Sequence, residues 1–260
     1  MLRYLKNLYR YRELLWMWTL REVKVRYKQS VLGAAWAVLQ PLSLTVIFTV
    51  VFSYFARVPT ENFPYPVYAY TALLPWTLFA TSISFAVPSL VMNMSLVTKI
   101  YFPKEILPLA SIGAAILDFG VAILVFAGML IFYHLPLYIT LLWLPVLLVV
   151  QVLLMVGISL IAAAVNVFYR DIRFVVPLAL QIWMYASPVI YPSSMVPERF
   201  RFLYALNPMS GIIDGYRSIA LRGEPPFSLE LTVAIAISAL IAILGYWLFK
   251  KTEPQFADII

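Results

Sequence analysis

The sequence has no cysteine, one histidine and little charge for its length of 260 residues. The lack of cysteine excludes disulfides, thiolate metal sites and cysteine nucleophiles, and a single histidine, His134, cannot form a histidine-pair metal site. Only 12% of the residues are charged, whereas 63% are hydrophobic. Because a soluble domain carries about 25% charged residues, this composition excludes a soluble chain, a disordered chain and, despite the net charge of +7, a nucleic-acid-binding domain. The sequence is that of a membrane protein.

Two further absences concern function. No lysine follows a glycine, so the phosphate-binding loop GxxxxGK[ST] is missing and we expect neither nucleotide hydrolysis nor a cofactor in this chain. Clusters of acids or histidines at one membrane face, which an intramembrane enzyme would need, are also missing. We therefore expect a protein that makes and breaks no covalent bond.

Long uncharged runs predict an all-α, polytopic membrane protein with a single transmembrane domain of six helices. Residues 29–56 form 28 uncharged positions, about 42 Å as a helix against roughly 30 Å of hydrocarbon. Residues 119–169 contain no formal charge over 51 positions, enough for two spans separated by a turn at 133–136. The predicted spans are residues 31–56, 68–92, 108–132, 140–165, 174–192 and 231–249.

The distribution of lysine and arginine predicts the orientation. With six spans, both termini lie on one side of the membrane. That side receives 14 of the 19 Lys and Arg residues. Eight lie in residues 1–28, and two each lie in the loop at 99–104, in the loop at 170–173 and after the last span. The opposite side receives five. The positive-inside rule therefore places both termini in the cytoplasm.

Residues 1–28 are predicted to form an amphipathic helix, because basic residues recur at three- and four-residue steps opposite apolar and aromatic ones. Such a helix suits the headgroup plane of anionic lipids. The alternative is an ordinary solvated helix. The candidate interface residues are Trp16, Trp18, Arg21, Lys24, Arg26, Tyr27 and Lys28.

Residues 193–228 carry four arginines and three acids, so they cannot span a membrane. Pro197-Glu198 indicates a helix start, Asn207-Pro208 a break and restart, and Gly223 a stop. We expect two short helices that dip into the outer membrane interface between spans five and six. The alternative is an irregular extracellular loop.

Polar residues inside the predicted spans are candidates for function. Asp118 is the one formal charge within a span, and an intramembrane carboxylate indicates a functional site by default. A protein-buried, hydrogen-bonded position is the favoured alternative, since no intramembrane Lys or Arg is available to pair with it. Two polar-aromatic stripes at helical spacing could line a pathway or make contacts within the bundle. They consist of Trp36, Gln40 and Ser43 in span one and Gln181, Tyr185 and Pro188 in span five.

Five segments, in order over about residues 20–250, resemble one known group. They are REVKVRYKQSVLG at 21–33 with Trp36 and QPL at 40–42, KIYFPKEILP at 99–108, YRDI at 169–172, SPVIYP at 187–192, and NPM at 207–209 with YR at 216–217. The set is similar to the membrane subunits of ABC exporters that move polysaccharides or polyol phosphates, such as O-antigen, capsule or teichoic acid.

The resemblance implies a homodimer bound to two copies of a separate ATPase, which would hold ATP and magnesium. It implies an ATPase-coupling loop made of Lys99, Ile100, Tyr101, Phe102, Pro103, Lys104 and Glu105, with Arg170, Asp171 and Arg173 near the same partner. A loop that only sets topology is the alternative for residues 99–105. The resemblance also implies an outer gate that contains Asn207, Pro208, Asp214, Tyr216 and Arg217.

The expected function is export of a lipid-linked polysaccharide across the inner membrane through a channel between two protomers. O-antigen is the expected substrate, which would place the chain in lipopolysaccharide biosynthesis, and teichoic acid and capsule are alternatives. Aromatic residues make up 16% of the chain, and flat rings suit both interfacial belts and the C–H faces of sugars. A different class, an ATP-independent channel or ion-coupled carrier, would need paired intramembrane charges or an inverted repeat.

Overall fold

The computed structural model describes residues 10–28 and 30–256, so residues 1–9 of the predicted N-terminal helix lie outside the described residues. Within the described ranges the regular structure is helical and contains no strand. The helices are α1 (Arg12–Tyr27), α2 (Trp36–Phe48), α3 (Tyr65–Ala86), α4 (Ser89–Met92), α5 (Met94–Lys99), α6 (Ile106–Phe132), α7 (Leu144–Phe168), α8 (Ile172–Tyr185), α9 (Glu198–Ala205), α10 (Pro208–Arg217) and α11 (Leu229–Thr252). π-Helical segments extend α2 over Thr49–Phe55 and α10 over Ser218–Arg222.

Four helical segments are long and apolar enough to cross a membrane. They are Trp36–Phe55, Ile106–Phe132, Ile139–Phe168 and Leu229–Gln255. These segments coincide with four of the six predicted spans, those at 31–56, 108–132, 140–165 and 231–249. The all-α membrane architecture is therefore confirmed, with four candidate spans.

Helix α3 occupies the position of the second predicted span. It is 22 residues long, about 33 Å, but its tyrosines, tryptophan and prolines lower its hydropathy below that of the other long helices. Most of its side chains are buried against α2, α6, α7 and α10. Because α3 is enclosed by protein, it does not need the apolar surface of a lipid-facing helix. The predicted end at residue 92 is wrong, since α3 ends at Ala86 and α4 follows after Pro88.

Helix α8 does not continue through the fifth predicted span at 174–192. It has 14 residues, about 21 Å, and ends at Tyr185. Pro188 disfavours helical geometry at Ser187, and residues 187–190 turn back and are buried in the bundle. The prediction that Pro188 lines a pathway is therefore wrong, because its side chain is enclosed by its own chain.

The segment after α8 is largely helical, which excludes the irregular-loop interpretation of residues 193–228. Asn207 caps α10 by accepting a hydrogen bond from the backbone N–H of Met209 over 3.1 Å. The helix extends through its π-helical part to Arg222, and Gly223 ends it with φ of +70°, a left-handed value that glycine adopts without strain. The predicted start at Glu198, restart at Pro208 and stop at Gly223 are confirmed.

Two hydrophobic clusters hold the bundle together. The larger one surrounds α3 and includes α6, α7 and α10. The smaller one, which we call the terminal cluster, joins the loop at 99–105 to α7 and the end of α11; its buried members include Phe102, Leu107, Leu160, Phe249 and Phe256. Helices α7 and α11 approach closely at Gly157 and Gly245, as small residues allow in membrane helices.

Candidate functional site

The predicted coupling loop has an exposed half and a buried half. Lys99 ends α5 and is exposed with Ile100, and Tyr101 is 97% exposed. Phe102 is only 8% exposed because it packs in the terminal cluster. The outward surface of the loop is therefore the segment 99–101, while Phe102 anchors the loop to the bundle.

The buried half of the loop is fixed by the end of α11. Lys250 Nζ lies 2.7 Å from Glu105 Oε2 and 2.8 Å from Glu253 Oε2. Glu253 Oε1 accepts a hydrogen bond from the backbone N–H of Lys104 over 3.2 Å. Sequence reasoning missed Lys250 and Glu253, although a lysine and a glutamate three residues apart at the end of an apolar run are a visible signal of an ion pair.

A cleft of about 800 Å³ lies between this loop, the start of the described N-terminal segment and the end of α11. Its walls include Tyr101, Pro103, Lys104 and Pro254 as well as Arg10. The lining contains charged residues of both signs together with apolar and aromatic residues. The cleft therefore places Pro103 and its neighbours in a concave surface.

The second predicted loop lies near the same cluster. Arg170 and Asp171 are exposed in the turn between α7 and α8, and Arg173 is exposed in the first turn of α8. They follow Phe168, whose ring is 6.2 Å from that of Phe256 in the terminal cluster. The two loops thus emerge at the same end of the bundle.

Helix α1 exposes basic and apolar residues together, so the predicted separation of a basic face from an apolar face is not confirmed. Lys24, Lys28 and Trp16 are exposed. Arg21 lies over the ring of Trp18 at 4.2 Å and donates a hydrogen bond to Asn93 over 3.3 Å.

The other side of α1 faces α6, where Asp118 has two partners from α1. Arg26 Nη1 donates to Asp118 Oδ2 over 2.5 Å, and the Tyr27 hydroxyl donates to Asp118 Oδ1 over 2.8 Å. The guanidinium also lies over the ring of Phe85 at 4.0 Å. The expected hydrogen-bonded position of Asp118 is confirmed. The predicted spans contain no Lys or Arg, and the cation that pairs with Asp118 comes from α1, outside them.

Helix α1 runs alongside the first half of α6. Thr19 lies against Gly113, and Arg26, seven residues later, meets Asp118, five residues after that glycine. Burial, together with the bond to Asp118, raises the pKa of Tyr27 to about 12. The tyrosine is therefore neutral at physiological pH and keeps the proton that it donates to the carboxylate.

The predicted pathway stripes lie on exposed faces, except Pro188. Trp36 and Gln40 border a cavity between α1, α2, α3 and α6. Ser43 is exposed one turn further along α2 and donates a hydrogen bond to the carbonyl of Gln40 over 2.8 Å. Gln181 and Tyr185 are exposed on α8.

The predicted gate residues are mostly packed inside the chain. Pro208, Tyr216 and Arg217 are buried, and their role in an outer gate stays a prediction. Arg217 Nη2 donates to the carbonyl of Val189 over 3.2 Å, and its guanidinium lies 3.9 Å from the ring centre of Tyr68. Burial lowers the pKa of Arg217, although Tyr68 opposes that shift. Nearly all of α10 is buried. The contacts of its side chains therefore hold the helix in the bundle.

Asn207 and Asp214 connect this segment to its neighbours. Asn207 Oδ1 accepts from the indole N–H of Trp183 over 2.9 Å, and its amide donates to Ser187 Oγ over 2.9 Å. Asp214 pairs with Arg222 at 2.5 Å. Burial lowers the pKa of Arg222, but the carboxylates of Asp214, Glu61 and Glu224 together outweigh burial, and the net shift is upward.

Comparisons with known proteins agree with this architecture. The family model described as ABC-2 type transporter matches residues 13–221. An O-antigen export system permease protein RfbA of Klebsiella pneumoniae is 30% identical over 95% of both chains. A protein of the same name from Myxococcus xanthus is 29% identical over the full length of both. A polysialic acid transport protein, KpsM of Escherichia coli, is 22% identical over 90% of this chain and 91% of its own.

Proposed function

Because this chain belongs to the ABC-2 type transporter family, we propose that it is the membrane-spanning subunit of an ATP-driven exporter of lipid-linked polysaccharide. The observation that carries the proposal is its similarity, over almost the whole length, to permease proteins of O-antigen export systems. O-antigen is accordingly the proposed substrate. Capsular polysaccharide is the second candidate, because the weaker relative from Escherichia coli is named as a polysialic acid transport protein.

The energy for export comes from a partner protein. The sequence has no phosphate-binding loop, so ATP and magnesium bind to two copies of a separate ATPase. The cleft beside residues 99–105 is the docking surface, and the exposed Tyr101 enters the partner. The anchoring of Lys104 and Glu105 to α11 supports this role, because a loop tied to a long membrane helix transmits movement to it.

The polysaccharide passes between two copies of the chain. Exposed faces of α2 and α8 carry polar and aromatic side chains, namely Trp36, Gln40, Ser43, Gln181 and Tyr185. In this arrangement α3 and α8 complete six membrane-inserted helices per protomer, and α9 and α10 lie at the outer end. The exposed basic residues of α1 face anionic lipid on the cytoplasmic side of the inner membrane, where both termini lie.

The experiment is deletion of the gene in its own bacterium, with restoration from a plasmid as the control. We expect surface polysaccharide to disappear and lipid-linked sugar to accumulate inside the cell, where mass spectrometry identifies the glycan. The restored strain should regain surface polysaccharide. Unchanged surface polysaccharide and no internal accumulation in the deletion strain would contradict the proposed function.

A further inference from the structure

A cavity of about 450 Å³ lies between α1, α2, α3 and α6. This volume is in the range of small-molecule binding sites, about 300–1,000 Å³. Its lining combines polar, aromatic and aliphatic side chains. The polar ones are Arg26, Tyr27, Gln40, Thr77, Thr81, Ser84 and Asp118, the aromatic ones are Trp36, Phe85 and Phe119, and the aliphatic ones are Ala37, Pro41, Leu78, Ala80, Ala115 and Ala122.

The charges of the cavity favour an uncharged ligand. Arg26 and Asp118 are its charged residues, and they pair at 2.5 Å with side chains that are 9% and 19% exposed. Their charges cancel. An anion that approaches the guanidinium is repelled by the carboxylate, and a cation that approaches the carboxylate is repelled by the guanidinium. In a poorly solvated site this repulsion is weakly screened. Neither a phosphate headgroup nor an ammonium group is therefore favoured.

The polar part of the lining also argues against a lipid tail. Hydroxyl and amide groups at Gln40, Thr81 and Ser84 lose hydrogen bonds to water without replacement when an acyl chain covers them. Arg26 has a specific need for acceptors, since its Nε and Nη2 atoms are buried and have no hydrogen-bond partner among the described residues. Buried donors of this kind normally find a partner. A ligand with many hydroxyl groups would supply acceptors and donors together.

The aromatic side chains narrow the ligand class further. Trp36 and Phe85 line the cavity and are about half exposed, so part of each ring is free for contact. Flat rings pack against apolar faces while neighbouring polar groups make hydrogen bonds. An uncharged molecule with C–H faces and several hydroxyl groups is a sugar. We propose that this cavity is a binding site for uncharged sugar units of the exported polysaccharide, with the Arg26–Asp118 pair at its polar end.

This inference rests on the proposed function, and photo-crosslinking separates the two. The photoreactive residue p-benzoylphenylalanine replaces Ser84, which lines the cavity, in cells that export the native polysaccharide. The control positions are Leu124, an exposed residue of α6 that does not line the cavity, and Tyr185 on α8. We expect a carbohydrate-positive adduct of this chain at Ser84 and none at Leu124.

The outcomes distinguish the two levels. A carbohydrate adduct at Tyr185 but not at Ser84 would overturn the binding site and leave the proposed function standing. An adduct at Ser84 that contains phospholipid without carbohydrate would also overturn it. The proposed function, and this inference with it, would fail on two combined results. No position would give a carbohydrate adduct, and surface polysaccharide would survive deletion of the gene.

An export assay adds a matched pair of variants. Phe85→Ala removes a ring from the cavity that is not part of the proposed pathway, and Trp247→Ala removes an exposed ring on α11 outside the cavity. We expect Phe85→Ala to lower the rate of surface appearance about five- to tenfold, the loss of one aromatic contact, while Trp247→Ala stays near wild type. Equal rates for the two variants would overturn the site, and co-purification of the ATPase confirms that both assemble.

Discussion

The guanidinium of Arg26 and the carboxylate of Asp118 form an ion pair across 92 residues of sequence. Asp118 lies twelve positions after Ile106, about 18 Å along α6, so the pair fixes the end of α1 near the middle of a membrane-spanning helix. A carboxylate that is mostly buried between helices is costly unless it is paired. The N-terminal helix therefore supplies the charge that makes Asp118 tolerable.

The first prediction concerns this pair. Asp118→Asn leaves Arg26 as an uncompensated, mostly buried charge, and we expect a loss of about 3 kcal/mol in stability. The double variant Arg26→Met/Asp118→Asn removes both charges while an acceptor remains for the Tyr27 hydroxyl. Its melting temperature in detergent should therefore lie above that of the single variant. A double variant no more stable than Asp118→Asn would show that the pair does not couple the helices.

The second prediction tests the course of α1 along α6. An added Cβ at Gly113 would lie 3.5 Å from the Cβ of Thr19, within the range that a disulfide requires. Because the chain has no cysteine of its own, the variant Thr19→Cys/Gly113→Cys should form one disulfide on mild oxidation. Loss of free thiols measures it. The pair Thr19→Cys/Gly128→Cys is the control, and crosslinking of the control but not the test pair would mean that α1 lies elsewhere.

The long apolar helices were predictable because their signal is local. A run of uncharged residues longer than the membrane is thick leaves few alternatives to a span, and the runs at 31–56 and 231–249 became helices. The stop at Gly223 was predictable for the same reason, since a glycine at a helix end needs no distant partner.

The sequence did not reveal features that depend on contacts between residues far apart in the chain. Nothing near Asp118 reveals that Arg26 will reach it, because the contact depends on the path of α1 along α6. The end of α8 at Tyr185 depends on how residues 187–190 find space beside α10. The burial of Phe102 beside an exposed Tyr101 likewise depends on Phe256, which is far away in the sequence.

The third prediction separates anchoring from docking in the loop. Tyr101→Ala removes an exposed side chain and should change stability by less than about 0.5 kcal/mol. The same variant should retain about tenfold less ATPase in pull-down from detergent, as expected for an exposed aromatic at a protein interface. Phe102→Ala removes a buried ring and should cost about 3 kcal/mol or more in stability. Normal ATPase retention by Tyr101→Ala would exclude that residue from the docking surface.

The fourth prediction concerns the contact between α7 and α11. A Cβ at Gly157 would lie 2.5 Å from the backbone of Ile241, so Gly157→Ala must separate the helices and should cost about 1–3 kcal/mol. Gly128→Ala is the matched control, since an added Cβ there meets no atom within 4 Å. The control should be neutral or slightly stabilising, because alanine favours a helix over glycine. Equal melting temperatures for both variants would contradict the close approach.

The central claim is that this chain moves polysaccharide only with an ATPase partner. The direct measurement is transfer of lipid-linked polysaccharide across reconstituted vesicles, read by its exposure to a glycosidase added on one side. With the chain, the ATPase and ATP-magnesium, we predict transfer that stops when ATP is withheld. Vesicles with the chain alone should show none. Transfer by the chain alone at the same rate without ATP would contradict the account.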